Sequence, residues 1–116
     1  MKPKKFSLNK ISKELKKPWN PITIVKLDNF RLNIAKFKGD YHWHKDNKDE
    51  LFIVLDGRIK IKTRYGNIVL DREEGVKIPK NLEHCPVAIN PSVVLMFENS
   101  KLKSKTTKFK KAFQTF

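Results

Sequence analysis

Cysteine is nearly missing from this chain: Cys85 stands alone among 116 residues. One thiol cannot close an internal disulfide, which fits a reducing compartment. Long apolar runs are missing too, and none approaches the roughly 18 residues that a membrane span needs. The N-terminus "MKPKKFSLNK" is basic, but no apolar segment follows it, so it does not read as a secretory signal. A cytoplasmic location without membrane attachment is the expectation. Low-complexity runs are also absent. With 39% hydrophobic residues, the chain has the material for one folded domain and too little length for two.

Arginine is scarce, with 4 against 22 lysines. The net charge of +14 is therefore lysine-driven and unlike a bidentate phosphate reader. It is also unevenly placed. Residues 1–38 carry 11 basic and 2 acidic side chains, residues 39–90 carry 9 of each, and residues 91–116 carry 6 and 1. The middle, which holds all three histidines, is neutral. The tail "KLKSKTTKFKKAFQTF" offers scattered lysines and three Phe without a recognition motif. Specific nucleic-acid binding is not expected.

Helical periodicity occurs once. In "FSLNKISKELKKPW", Ser7 can cap a helix that carries Leu8, Ile11 and Leu15 on one face, and Pro18 ends it. Short β-rich runs follow: "ITIVKL", "FRLNIAKF", "ELFIVL", "RIKIKTRY", "NIVL", "VKIP" and "SVVLMF". "RIKIKT" alternates, with Ile59 and Ile61 on one face and Arg58, Lys60 and Lys62 on the other. Gly66-Asn67 marks a tight hairpin turn. Many short strands point to an all-β sandwich or barrel. "LFIVL" and "VVLMF" are apolar on both faces. The N-terminal helix or a second copy of the chain must cover the outer one, so a homodimer is expected.

The chemistry-bearing stretch is "KGDYHWHKDNKDELFIVLDG". If Tyr41 to Asp46 is extended, His42, His44 and Asp46 project from one face. A hairpin into "ELFIVLDG" would set Glu50 opposite them, and a distant strand could bring His84 to the same interior spot. Imidazole with carboxylate suits a divalent Fe, Mn, Zn, Ni or Cu ion, whereas calcium wants more oxygens. Three histidines are an ordinary count, and solvated strand histidines are the plain alternative.

Residues Trp19 to Phe97 resemble a small single-domain cupin of the conserved-barrel, mannose-6-phosphate-isomerase-like type. "ELFIVLDG" reproduces the first motif's Glu, six residues and Gly with Glu50 and Gly57. "PKNLEH" reproduces the second motif with Pro79 and His84, and Asn81 takes the glycine place. The resemblance implies an all-β double-stranded β-helix, the cupin jelly-roll barrel, with a short N-terminal helix. Residues 1–18 would form the helical segment, 19–98 the barrel and 99–116 a lysine-rich tail.

The resemblance also implies a metal site. The literal His42-x-His44 pair leaves five residues before Glu50, one too many for the family. Aligning Trp43-His44 with the family's Trp-His puts Asp46 in the second histidine's place, three residues before Glu50, and Gly39 at the right distance upstream. The implied ligands are His44, Asp46, Glu50 and His84 around a divalent ion (Fe, Mn, Zn or Ni), with Phe52 and Val54 lining the pocket. His42 is the alternate ligand, and loss of the metal is a third possibility. Asp46 leaves two imidazoles with carboxylate, a set that resembles open oxygen-activating sites. Cys85, Trp43 and Asp49 should face away from the site. Glu73 stands where the family usually has glycine.

The resemblance implies a metal-dependent enzyme, of oxygenase or isomerase type, acting on a small molecule, with Glu50 or Asp46 as proton carrier. A non-catalytic module that binds a small molecule or metal is the alternative. A scaffold whose basic flanks hold polyanions is a more distant one.

Overall fold

A computed structural model describes residues 1–108, so Phe109, Lys110, Lys111, Phe113 and Phe116 of the basic tail lie outside the described residues. The single helix, α1 (Leu8–Glu14), starts where the Ser7 side chain accepts the Lys10 N–H at 3.2 Å. It ends at Leu15, which leaves helical geometry and is buried. Past Pro18 the chain turns sharply at Trp19, at φ +59°. The Trp19 N–H is held there by the Lys36 carbonyl at 2.8 Å.

The other regular elements among the described residues are strands: β1 (Ile22–Leu27), β2 (Phe30–Asp40), β3 (His44–Asp46), β4 (Glu50–Asp56), β5 (Arg58–Thr63), β6 (Gly66–Asp71), β7 (Gly75–Ile78), β8 (His84–Asn99) and β9 (Ser104–Thr106). All pairings are antiparallel, and the sheet curls into two facing layers. One layer runs β1, β2, the C-terminal half of β8, β4, β7. The other contains β6, β5, the N-terminal half of β8, β3 and β9. β8 serves both: at Ile89–Pro91 the burial alternation breaks into three exposed residues, and its pairing with β2 shifts register between Phe37 and Gly39. The result is an all-β jelly roll with one short helix.

Period-two alternation fills the interior. Ala35 and Phe37 on β2, Phe52 and Val54 on β4, Ile61 on β5 and Val94 on β8 share one buried core. Ile34 points the opposite way from Ala35 yet is completely buried, because α1 packs on the outer face of β2. Farther along that face the cover stops. Phe30 stacks on Phe97 with ring centroids 5.3 Å apart, and Leu27 and Phe30 stay exposed.

Three local expectations are corrected. The β5–β6 turn is Arg64-Tyr65, not Gly66-Asn67, since Thr63 pairs with Gly66. The Thr63 hydroxyl accepts the Tyr65 N–H and donates to the Gly66 carbonyl, which pulls the turn two residues forward. The segment before Glu50 does not form a hairpin with β4. β3 is only three residues long and pairs with β8 and β9, while Asn47 to Asp49 cross from one layer to the other. The barrel also continues past residue 98: β8 ends at Asn99, and Ser104–Thr106 add a strand beside β3. Lysines alternate with small polar residues there, so no apolar run betrays the strand.

Candidate metal centre

Each motif residue is carried by a specific piece of backbone. Gly57 adopts φ +94° where β4 turns into β5, and a Cβ there would overlap the Ser92 side chain. That hydroxyl accepts the Arg58 N–H and donates to the Arg58 carbonyl, so this end of the barrel is pinned through it. Asn81 takes the left-handed conformation at φ +67°, which asparagine tolerates better than most residues. Its N–H donates to the Asp46 carbonyl at 2.7 Å. Asp49 caps the same loop by accepting the Lys80 N–H at 2.8 Å. The two motifs are thus clamped together by one backbone–backbone and one backbone–side-chain hydrogen bond before any ion is considered.

His44 and His84 face each other on paired strands, with ring centroids 4.2 Å apart. The Nδ1 of His44 lies 3.0 Å from the His42 carbonyl, and that of His84 lies 2.8 Å from the Leu82 carbonyl. A carbonyl can only accept, so each Nδ1 carries a proton, and in the neutral ring Nε2 presents a lone pair. Burial, helped by His44, pushes the His84 pKa below its ordinary value and keeps that ring neutral, against opposing pulls from the Leu82 carbonyl and Asp46. Asp46 stands between the rings. Its Oδ1 accepts from the Ser104 hydroxyl of β9 and lies 4.0 Å from His44 Nε2. Its Oδ2 lies 3.7 Å from His84 Nε2.

These separations test the fit of an ion. They are too long for hydrogen bonds, whereas bonds of about 2.0–2.2 Å from one cation span donors up to about 4.3 Å apart. Oδ2 of Asp46 and Nε2 of His84 are buried and have no hydrogen-bond partner in the structure. His44, Asp46 and His84 form a group that could hold a metal ion, with donor atoms all within 4.8 Å of one another.

Glu50 is buried beside this group, outside the three-residue cluster. Burial raises its pKa most, followed by hydrogen bonding and charge from Glu98 and then Asp46, to about 10. A proton on Glu50 relieves the carboxylate crowding; a divalent cation could relieve the same crowding. The His42 ring is exposed, lies against Tyr41 with centroids 3.9 Å apart, and is outside the cluster; its carbonyl is what orients His44. Phe52 lines a cavity of about 230 Å³ in front of His44, whereas Val54 lies deeper in the core and outside that wall. Cys85 is buried, and desolvation raises its pKa, so the thiol is protonated.

Four residues of the site were not singled out from sequence: Arg31, Glu98, Tyr41 and Ser104. Glu98 is buried opposite Glu50 and forms an ion pair with Arg31 at 2.6 Å. Both were visible as phase: Glu98 continues the inward series Ser92, Val94, Met96, and Arg31 precedes Asn33, Ala35 and Phe37. The Tyr41 ring meets His44 edge-on at 5.3 Å, and burial, with Asp46 and Glu50, raises its pKa. Ser104 had no signal in the sequence.

The fold is that of the cupins. A cupin-2 domain protein from Shewanella frigidimarina superposes with a TM-score of 0.79 at 29% identity, covering 81% of this chain and 93% of that one. Hydroquinone 1,2-dioxygenase from Sphingomonas, solved with 4-hydroxybenzoate bound, shares the fold at a TM-score of 0.66 and 18% identity, over 73% of this chain and 68% of that one. No protein-family model matches the chain. Bacillus subtilis YdbB, an uncharacterized protein, is 33% identical over 76 residues, which cover 64% of this chain and 67% of YdbB. The chain belongs to the same family as YdbB.

Proposed function

We propose that this cupin is a metal-dependent enzyme of the oxygen-activating type, acting on a small molecule in the cavity before His44. The observation that carries the reading is the unpartnered pair, Asp46 Oδ2 and His84 Nε2, 3.7 Å apart and buried with His44. Two imidazoles and one carboxylate leave coordination positions open, which favours Fe or Mn and an oxygenase over an isomerase. When bound, the ion supplies Lewis acidity and redox chemistry with dioxygen.

The chain's own contribution is orientation and proton handling. The His42 and Leu82 carbonyls fix both imidazole tautomers, and Ser104 fixes one oxygen of Asp46. Glu50, on the cavity wall, holds a proton at its carboxyl and is placed to exchange it with a bound molecule. Phe37, Phe52 and Met96 exclude water from that side. The fold shared with hydroquinone 1,2-dioxygenase is compatible with this chemistry.

Elemental mass spectrometry on untagged protein tests it. Near-stoichiometric Fe, Mn, Ni or Zn is expected in wild type and His42→Ala, and its loss in His84→Ala and Asp46→Ala. Metal that survives in Asp46→Ala but not in His42→Ala would move the site to the His42–His44 pair. A wild-type protein that none of these ions reconstitutes would leave a non-catalytic ligand-binding module.

A further inference from the structure

The cavity has one feature that metal binding does not use. Part of its wall is apolar and aromatic, built from Trp19, Phe37, Phe52 and Met96, and Arg31 is set beside it with Glu50 and Glu98. Arg31 sits on the inner phase of β2, directly across from Glu98 on β8, which in turn pairs with Glu50 on β4. Neighbouring strands are about 4.8 Å apart, so Arg31 and Glu50 flank the cavity with backbones about 10 Å apart.

The guanidinium is only half committed. Nε and Nη2 both donate to one oxygen of Glu98, at 3.0 and 2.6 Å. No other hydrogen bond holds its guanidinium among the described residues, which leaves Nη1 and the second Nη2 proton available. The side chain keeps 29% of its surface exposed. Glu98, with 6% of its own side chain exposed, offsets the cost of placing this cation in the barrel and locks the fork in place.

We propose that the cavity takes a small monocarboxylate with an apolar or aromatic body. The carboxylate would lie on the free edge of Arg31, the body against Phe37, Phe52 and Met96, and the far end toward His44. This rests on reading the cavity as the ligand site of the metal centre. Arg31 is the one cationic side chain lining the cavity among the described residues. A phosphate dianion would be left under-compensated there, and a polyhydroxylated sugar would lose its hydrogen bonds to water against the aromatic wall. A planar carboxylate matches the geometry of the free edge of the fork.

Benzoate and its neutral counterpart benzyl alcohol are the probes, followed through tryptophan fluorescence and calorimetry, with and without bound Mn(II). Wild type should bind benzoate more tightly than benzyl alcohol. Arg31→Gln should weaken benzoate by about 10- to 100-fold and leave benzyl alcohol unchanged. Arg31→Gln strands the Glu98 charge, so Arg31→Gln with Glu98→Gln provides a variant with a neutral pair and the same expected loss. Equal benzoate affinity in either variant, or no preference for benzoate over benzyl alcohol in wild type, overturns the inference. Metal content of the same samples separates the two readings. Arg31-dependent benzoate binding without metal uptake sinks the metal centre alone, and metal uptake without that dependence sinks the carboxylate site alone.

Discussion

At the scale of single residues, two side chains sit in conformations or environments that cost stability. Glu73 adopts φ +71° although it carries a Cβ, with its N–H tied to the Val54 carbonyl at 2.8 Å. Its side chain is exposed, so nothing is lost by removing it. Glu73→Gly should stabilise the fold by about 0.5–1 kcal/mol, read as a higher urea midpoint at unchanged slope. Glu50 is costly in a different way. Its carboxyl titrates near 4.5 when unfolded and near 10 in the barrel. The stabilising effect of the protonated form is complete below the unfolded value and drains away as pH rises toward the folded one. Metal-free wild type should therefore melt at progressively lower temperature between about pH 5 and pH 9 for this group. Glu50→Gln should match wild type near pH 4 and melt higher at pH 8. Identical melting curves at pH 8 would mean that Glu50 is not the group under pressure.

At the scale of elements, β9 is the part that ties the end of the chain to the site. It pairs with β3 from His44–Thr106 to Asp46–Ser104 and delivers the one hydroxyl that holds Asp46. Groups that orient a metal ligand commonly change affinity by about 10- to 100-fold when removed. Ser104→Ala should weaken metal binding by that amount in a chelator competition, with the circular dichroism spectrum unchanged. A variant that binds metal as wild type does would make β9 a mere edge strand. The hairpin that did not form between β3 and β4 carries the same lesson. His44 and Asp46 belong to one layer and Glu50 to the other, so their meeting depends on β8, which pairs with both β3 and β4.

At the scale of the whole molecule, the outer face of the β1–β2–β8–β4–β7 layer is only partly covered by the described residues. α1 protects Ile34, while Leu27 and Phe30 remain exposed next to Phe97. A homodimer over this face is the expected state in solution. Sedimentation should give twice the mass of one chain for wild type and a single-chain mass for Phe30→Glu. Wild type at single-chain mass would remove the dimer. Such a patch is legible as two-faced apolar strands, but what covers it is not, because covering depends on how elements from distant parts of the chain dock.

The same division runs through the site. Alternation along "SVVLMFE" and "RIKIKT" and the cap at Ser7 were set locally, within a few residues, and an all-β sandwich or barrel could be read from them; the jelly roll was implied by the resemblance of the Glu50–Gly57 and Pro79–His84 spacings to cupin motifs. Local pattern also placed His44, Asp46 and Glu50 on inward phases. Tertiary structure decided the rest. It turned His42 outward, withdrew Val54 from the cavity wall, and brought Ser104 to Asp46 and Arg31 to Glu98, pairs separated by 58 and 67 residues. A short polar strand such as "SKT" has no periodic signature of its own. Its place is fixed by the open edge of β3, which exists only after both layers have formed.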